Sequence, residues 1–314
     1  MSEHPLRRFI SMRRARSLLL VLAVVLLTSV VAGSQSDVAR ATAPGGWTFV
    51  LDDYQGFDTC ITPSTDATSA WWSSTQYYYI GIYMGGADFA PSCDNSALTA
   101  SWVSTVASQG WSFIPLWVGP QAPCWTSGGP FQTYISENTA SAHAQGVSSA
   151  DAAMNAALNL GFAKGTVVYD DIEGYNTGDS ACVAGVDAFV NGWDAEIKGS
   201  TWASSAGIYG SAGGAKWTDF AGQASAPSDA FVANWNMTAN VWNLGSLIPN
   251  SYWVGDRRIH QYIGGHDEVN GGSTLNIDTD CALGQVAGGD LDLGNETDAP
   301  GTNESNGPTE DPSC

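Results

Sequence analysis

The chain has 314 residues, with 11 Lys or Arg against 31 Asp or Glu and a formal net charge of −20. So acidic a surface repels phosphate backbones and anionic headgroups, which excludes nucleic acid and anionic lipid as partners, whereas a neutral glycan meets no such penalty. Six cysteines with no Cys-x-x-Cys, and four histidines that form no spaced pair with them, read as disulfides and not as a zinc site, and no metal or cofactor is expected.

The first segment, residues 1–41, reads as a signal peptide. Arg7, Arg8, Arg13, Arg14 and Arg16 form a basic head, SLLLVLAVVLLTSVVAG an apolar stretch near the lower limit for a span, and Ala39-Arg40-Ala41 a small-x-small cleavage site. Cleavage nearer Ala32 and an uncleaved anchor are the alternatives, and the paired arginines also permit twin-arginine export. Removing the segment takes away six Arg and two acids, Glu3 and Asp37, and leaves five basic residues against 29 acidic ones. No stable membrane insertion is expected of what remains.

Residues 45–287, ~240 in number, suit a single large domain of about the size of a (β/α)8 barrel. Short apolar runs there alternate with helix-like stretches. The strand candidates are 56–60, 77–86, 111–120, 166–174, 205–214, 230–236, 258–265 and 275–280. Helical spacing appears at 98–110, where Leu98, Trp102 and Val106 recur once a turn before Gly110. It appears again in the Ala-rich 142–161, and at 180–199, where Val183, Val186, Phe189, Val190 and Trp193 form a stripe behind Ser180 or Asp179 as cap. Strands this apolar, alternating with helices, predict a parallel sheet covered on both faces, and eight of them predict a closed α/β barrel of the TIM type with irregular later helices. Residues 288–314 carry seven acids, no base and little that can pack, and read as a disordered acidic tail.

In such barrels chemistry sits at the C-terminal strand ends. Asp58 closes the first candidate, Asp171 and Glu173 the fourth, Trp235 and Asn236 the sixth, Gln261 and Tyr262 the seventh, Asp278 and Asp280 the last. Within VVYDDIEGY (167–175), Asp171 and Glu173 share one strand face while Asp170 points to the other. Two carboxyls in one pocket raise each other's proton affinity, and glycosidic cleavage needs one to protonate the leaving oxygen while another assists water or a nucleophile. Glu173, with the longer side chain and the deeper place in the loop, takes the proton-donor role. Asp171 orients or stabilises, and Asp58 and Asp278 complete the ring. The competing readings are that these acids cap helices or pair with Arg257 or Arg258, or that they hold calcium or magnesium.

Taken together, GFDTC, YIGIYMGG, LTASWVSTVASQGWSFIPLWVGPQAPC, VYDDIEGY, SAC at a helix start, RRIHQYIGG and NIDTD resemble secreted bacterial glycoside-hydrolase-like barrels, a family similar to the glycoside hydrolase family 25 lysozymes. The resemblance runs from about Gly56 to Asp280. It implies a barrel acting on a glycan of the cell envelope, with peptidoglycan the first candidate. It places the family's acids at Asp58, Asp171, Glu173 and Asp278, with Glu173 as general acid. A chitinase-type Asp-x-Asp-x-Glu is absent, because Tyr169 stands at its first position. The alternative to an enzyme is a non-catalytic carbohydrate-binding or wall-associated barrel. Either way a secreted or wall-associated monomer is expected.

Of the 13 tryptophans, Trp117, Trp125 and Trp235 fall at or beyond strand ends, where a flat ring can stack on a sugar; with Gln261 and Tyr262 they are the expected substrate contacts. Cys60, Cys93, Cys124 and Cys182 follow four consecutive strands at one rim, and proximity favours Cys60–Cys93 and Cys124–Cys182. Cys281 either pairs with Cys314 or stays free.

Overall fold

The structure, a computed structural model, describes residues 54–287 apart from Pro91, 126–130, Ala163, 202–204, Leu247, Asp256 and Gln285. The expected signal peptide, the acidic tail and Cys314 lie outside the described residues. Eight strands close a barrel in chain order: β1 (Tyr54–Thr59), β2 (Tyr77–Tyr83), β3 (Ser112–Trp117), β4 (Val168–Ile172), β5 (Ala206–Ser211), β6 (Asp229–Ala233), β7 (Arg258–Asn270) and β8 (Ser273–Leu283). Helices α1 (Thr65–Trp72), α2 (Ala100–Gln109), α3 (Thr139–Asn159), α4 (Ser180–Gly199) and α5 (Trp217–Ala221) fill the first five crossovers. Among the described residues no helix follows β6 or β7.

The helices begin where the sequence offers a cap. Thr99 accepts from Trp102 N ahead of α2, Asn138 from Ser141 N ahead of α3, and the Asp179 carboxylate from the N–H groups of Ala181 and Cys182 ahead of α4. Two helices were not expected. α1 starts behind Ser64, which accepts from Ala67 N, and runs for 8 residues, while α5 has only 5. Both are too short to display a periodic stripe.

One expectation is corrected. β1 through β7 pair in parallel, but β8 is antiparallel to both of its neighbours, β7 and β1. The reason is local. Gly271 and Gly272 sit at φ 55° and 82°, the left-handed pair a two-residue hairpin turn requires, and so tight a turn can only send the chain back antiparallel. Register shifts around Ile263 bend this hairpin so that its outer part lies along α1. There Trp71 Nε1 donates to Ser273 O, Tyr77 OH donates to Glu268 Oε2, and Ile277 joins the cluster containing Trp71 and Phe57. The hairpin covers this flank as helices cover the others.

Two apolar layers result from the alternation along each strand. The outer one packs Phe57, Ile80, Ile82, Phe113, Val168, Ile172, Ile208 and Val232 against the helices. The inner one fills the barrel with Tyr79, Ile114, Leu116, Tyr169, Tyr209, Phe231 and Ile259. Large rings fit inside because glycines stand opposite them: a Cβ on Gly56 would lie 2.3 Å from the Tyr79 ring, and one on Gly207 2.2 Å from the Tyr169 ring. Disulfides join Cys60 to Cys93 and Cys124 to Cys182, with Cα separations of 4.8 and 5.9 Å, as expected from the sequence. Cys281 is buried on β8, and among the described residues no cysteine is free.

Candidate active site

The mouth of the barrel takes its acids from β1, β4 and β8. On β1, Asp58 is fully buried; its Oδ1 accepts from Tyr83 OH at 3.0 Å and its Oδ2 from Gln261 Nε2 at 2.6 Å. On β8, Asp278 stands directly opposite Asp58 in the antiparallel ladder and accepts from Gly265 N at 2.6 Å. The reversal of β8 means that Asp278 does not close a strand. It reaches the mouth from the middle of the strand. Asp280, two residues on, faces the same interior one step deeper, opposite Gly56 and Gln261, with both carboxyl oxygens buried and unpartnered.

β4 brings Asp171 into the same space, 5 % exposed and with Oδ1 unpartnered, and Glu173 follows just beyond the strand. The backbone here is held by Gln121 of the β3–α3 loop. Its Oε1 accepts from Glu173 N at 2.8 Å and its Nε2 donates to Asp171 O at 2.8 Å. Asp170 faces away toward α3, as alternation requires. It too is fully buried with both oxygens unpartnered, next to Gly119 and Ser149.

Burial is the largest cause that raises the proton affinity of every acid in this set. For Asp58, Asp278 adds to it while the Gln261 and Tyr83 hydrogen bonds oppose it. For Asp171, the charges of Glu173, Asp170 and Asp58 add. Glu173 is raised by burial and by Asp278 and held back by the Gly174 N–H. Asp278 is raised by burial and held back by the Gly265 N–H and by His266. These mutual effects, together with Tyr83 and Tyr209 feeling Asp58, Asp171 and Asp278 at once, mark one shared cluster. Neither candidate arginine reaches it. Arg257 pairs with Asp229 at 3.4 Å, and Arg258 donates to the carbonyls of Val241, Pro249 and Tyr252 and lies 4.4 Å over the Trp242 ring. Among the described residues no group of three His, Cys, Asp or Glu has the geometry to hold a metal ion.

The expected sugar contacts fall in different places. Trp235 is 63 % exposed, its ring lies across Gly264, and its Nε1 donates to Gln261 Oε1 at 2.8 Å. Gln261 is 1 % exposed and bonded at both ends, so it supports Asp58 and Trp235 and presents no free group to a ligand. Trp125, on the loop after β3, bridges to Tyr175 and packs edge-on to Phe131 with centroids 4.8 Å apart. Two residues are corrected. Trp117 follows the inward-facing Leu116 and therefore faces outward, where its Nε1 donates to Ser149 Oγ on α3. Tyr262 follows the inward-facing Gln261 and packs outside the barrel with Val241 and Cys281. Tyr83, Tyr209 and Gln121 were missed; the first two share strand parity with Gly81 and Gly207, which is the one sequence signal that could have found them.

A separate open groove between α3 and α4 is lined by Thr139, His143, Asp187, Asn191 and Gln223. It contains a single acid, Asp187, raised to about 6 mainly by burial. Acid–base hydrolysis needs a carboxyl pair, which the barrel mouth has and this groove lacks.

A closed α/β barrel with clustered carboxyls at its mouth defines a glycoside-hydrolase-like protein. The chain belongs to the Rv2525c-like, glycoside hydrolase-like domain family, whose model matches residues 69–282. Asp171, Glu173 and Asp278 lie inside that match, and Asp58 precedes it. The chain is also similar to several solved structures, among them the following three. An uncharacterized B. stearothermophilus protein is 15 % identical over 73 % of this chain and 95 % of its own, with a TM-score of 0.48. The Mycobacterium tuberculosis Tat-secreted protein Rv2525c, in complex with HEPES, is 11 % identical over 75 % and 96 %, with a TM-score of 0.47. The catalytic domain of the endolysin ply40 from bacteriophage P40 of Listeria monocytogenes is 13 % identical over 73 % and 92 %, with a TM-score of 0.41. No curated protein matches the sequence.

Proposed function

We propose that the protein is an exported glycosidase that cleaves a glycan of the cell envelope, peptidoglycan being the first substrate to try. The observation that carries this reading is the cluster of buried Asp58 and Asp171 with half-buried Glu173 and Asp278, with no Lys or Arg bonded to it among the described residues. Burial and neighbouring carboxylates raise the proton affinity of each of these acids, the direction a general acid requires. Glu173 is the proton donor to the glycosidic oxygen. It is the least buried of the β4 acids, so a bound sugar can reach it. Asp171 stabilises the positive charge that develops on the sugar ring, and Asp58 and Asp278 keep the mouth anionic on the facing side. Trp235 offers a rigid exposed ring for a sugar face.

Export supports the same reading. Two disulfides need an oxidising compartment, and the basic-then-apolar N-terminal segment supplies an address. Peptidoglycan comes first because of the resemblance to family 25 lysozymes.

Release of reducing ends from peptidoglycan and other wall polysaccharides, compared between wild type and Glu173→Gln across pH, tests the proposal. Cleavage by the wild type and its loss in the variant is the expected result. Equal rates in both would remove Glu173 from the chemistry. Retained glycan binding with no cleavage at any pH would favour a binding-only barrel.

A further inference from the structure

Three hydrogen bonds meet at Gln261 and connect the surface of the mouth to a fully buried acid. Trp235 Nε1 donates to Gln261 Oε1 at 2.8 Å, Tyr209 OH donates to the same oxygen at 3.0 Å, and Gln261 Nε2 donates to Asp58 Oδ2 at 2.6 Å. Gln261 is 1 % exposed, so water has little access to replace a partner. The members of this chain are not equivalent. A hydroxyl can donate or accept, but an indole nitrogen only donates. Trp235 therefore selects the end of the amide that faces it, which must be the oxygen. The amide nitrogen is left toward Asp58, and it too only donates. Oδ2 has to accept.

We propose that Gln261 is a positioning residue that carries the fixed donor character of the Trp235 indole to Asp58, keeping Oδ2 an acceptor and leaving Oδ1, beside the Tyr83 hydroxyl, as the one place on this carboxyl for a proton. The groups that face Asp58 are otherwise acids or phenols: Asp278 and Asp280 from β8, Asp171 from β4, Tyr79 and Tyr83 from β2 and Tyr209 from β5. Where many acids compete for few protons, a donor locked in one direction decides which oxygen stays bare. The consequence for turnover rests on the glycosidase reading above: a sugar seated on Trp235 touches a ring tied to Asp58 through one side chain. The relay itself does not depend on that reading.

The test is a carboxyl titration of Asp58 by NMR on aspartate-labelled protein without any glycan, with Asp58→Asn to assign the signal. It compares wild type, Trp235→Phe, Gln261→Leu and the double variant. Phenylalanine keeps a stacking ring and removes the N–H; the position is exposed, and an amide spectrum checks that the variant is folded. With the indole gone, Tyr209 can donate to either orientation's partner or accept from it, so the amide is free to turn its oxygen toward a protonated Asp58. The expected result is an upward move of the Asp58 midpoint by about one pH unit in Trp235→Phe, and no further move when the same change is made in Gln261→Leu. An unmoved midpoint in Trp235→Phe, or an equal move with and without Gln261, overturns the proposal. Because no substrate is present, a wild type that never cleaves glycan would sink the glycosidase reading and leave this result to be judged alone.

Discussion

Gly81 on β2 stands beside Asp58 on β1 with no room for a side chain: a Cβ there would lie 2.4 Å from Asp58 Cβ. The glycine is what lets a carboxylate turn into the barrel at this height. Gly81→Ala should cost about 1–3 kcal/mol by forcing the two strands or the acid to shift. It should also displace Asp58 from Tyr83 and Gln261. Denaturant unfolding gives the first effect, and a changed Asp58 carboxyl signal gives the second.

The buried acids predict how stability varies with pH. Asp170 and Asp280 are raised well above the usual carboxylate range by burial, the latter also by Asp58 and Asp278. A carboxyl raised in the folded state binds its proton more tightly there than in the unfolded chain. Its contribution is therefore complete below the unfolded value of about 3.9 and is lost as pH rises through the folded value. Thermal midpoints should fall as pH rises above about 4. Asp280→Asn should flatten that decline by up to about 1.4 kcal/mol per pH unit, read from denaturation at a series of pH values. A decline of the same slope in the variant would show that Asp280 does not hold the proton.

The two disulfides close loops of 33 and 58 residues between consecutive strand ends. Loop-closure entropy of that size corresponds to about 4 kcal/mol each. Replacing Cys124 and Cys182 together by serine should lower the thermal midpoint and loosen the loop that carries Gln121, the residue that fixes the β4 backbone at Asp171 and Glu173. Hydrogen exchange at Glu173 N is the direct readout.

Trp235 has most of its surface in solvent, so Trp235→Ala should cost unfolding no more than about 1.5 kcal/mol, that of its hydrogen bond to Gln261. It should weaken glycan binding by about 1 kcal/mol or more, some five- to tenfold. A much larger loss of stability would mean that the ring is structural.

The parts of this architecture written in composition were legible. Near-continuous apolar runs gave all eight strands, and the acids at the end of β4 announced themselves because nothing apolar explains them. What failed was direction and face. A period of two reads the same both ways along a strand, so the reversal of β8 shows only in Gly271-Gly272. Height along the barrel alone puts Trp117 and Tyr262 at the mouth, yet each is one residue away from an inward-facing neighbour, which is enough to put it on the other side of the sheet. Gln261, polar at a strand end, reads as a ligand contact; its burial and its bonds to Trp235 and Asp58 are tertiary facts.

The union of β1 with β8 joins the most distant parts of the described chain, as the bond from Thr59 Oγ1 to Asn276 O across 217 residues shows. Contacts of such long range are entropically slow to form. The staves of the barrel can therefore assemble outward from their local crossovers, with this suture tied late. Until it is tied, Asp58 and Asp278 belong to opposite borders of an open sheet, and the repulsion between them is felt only by a molecule that has already finished folding.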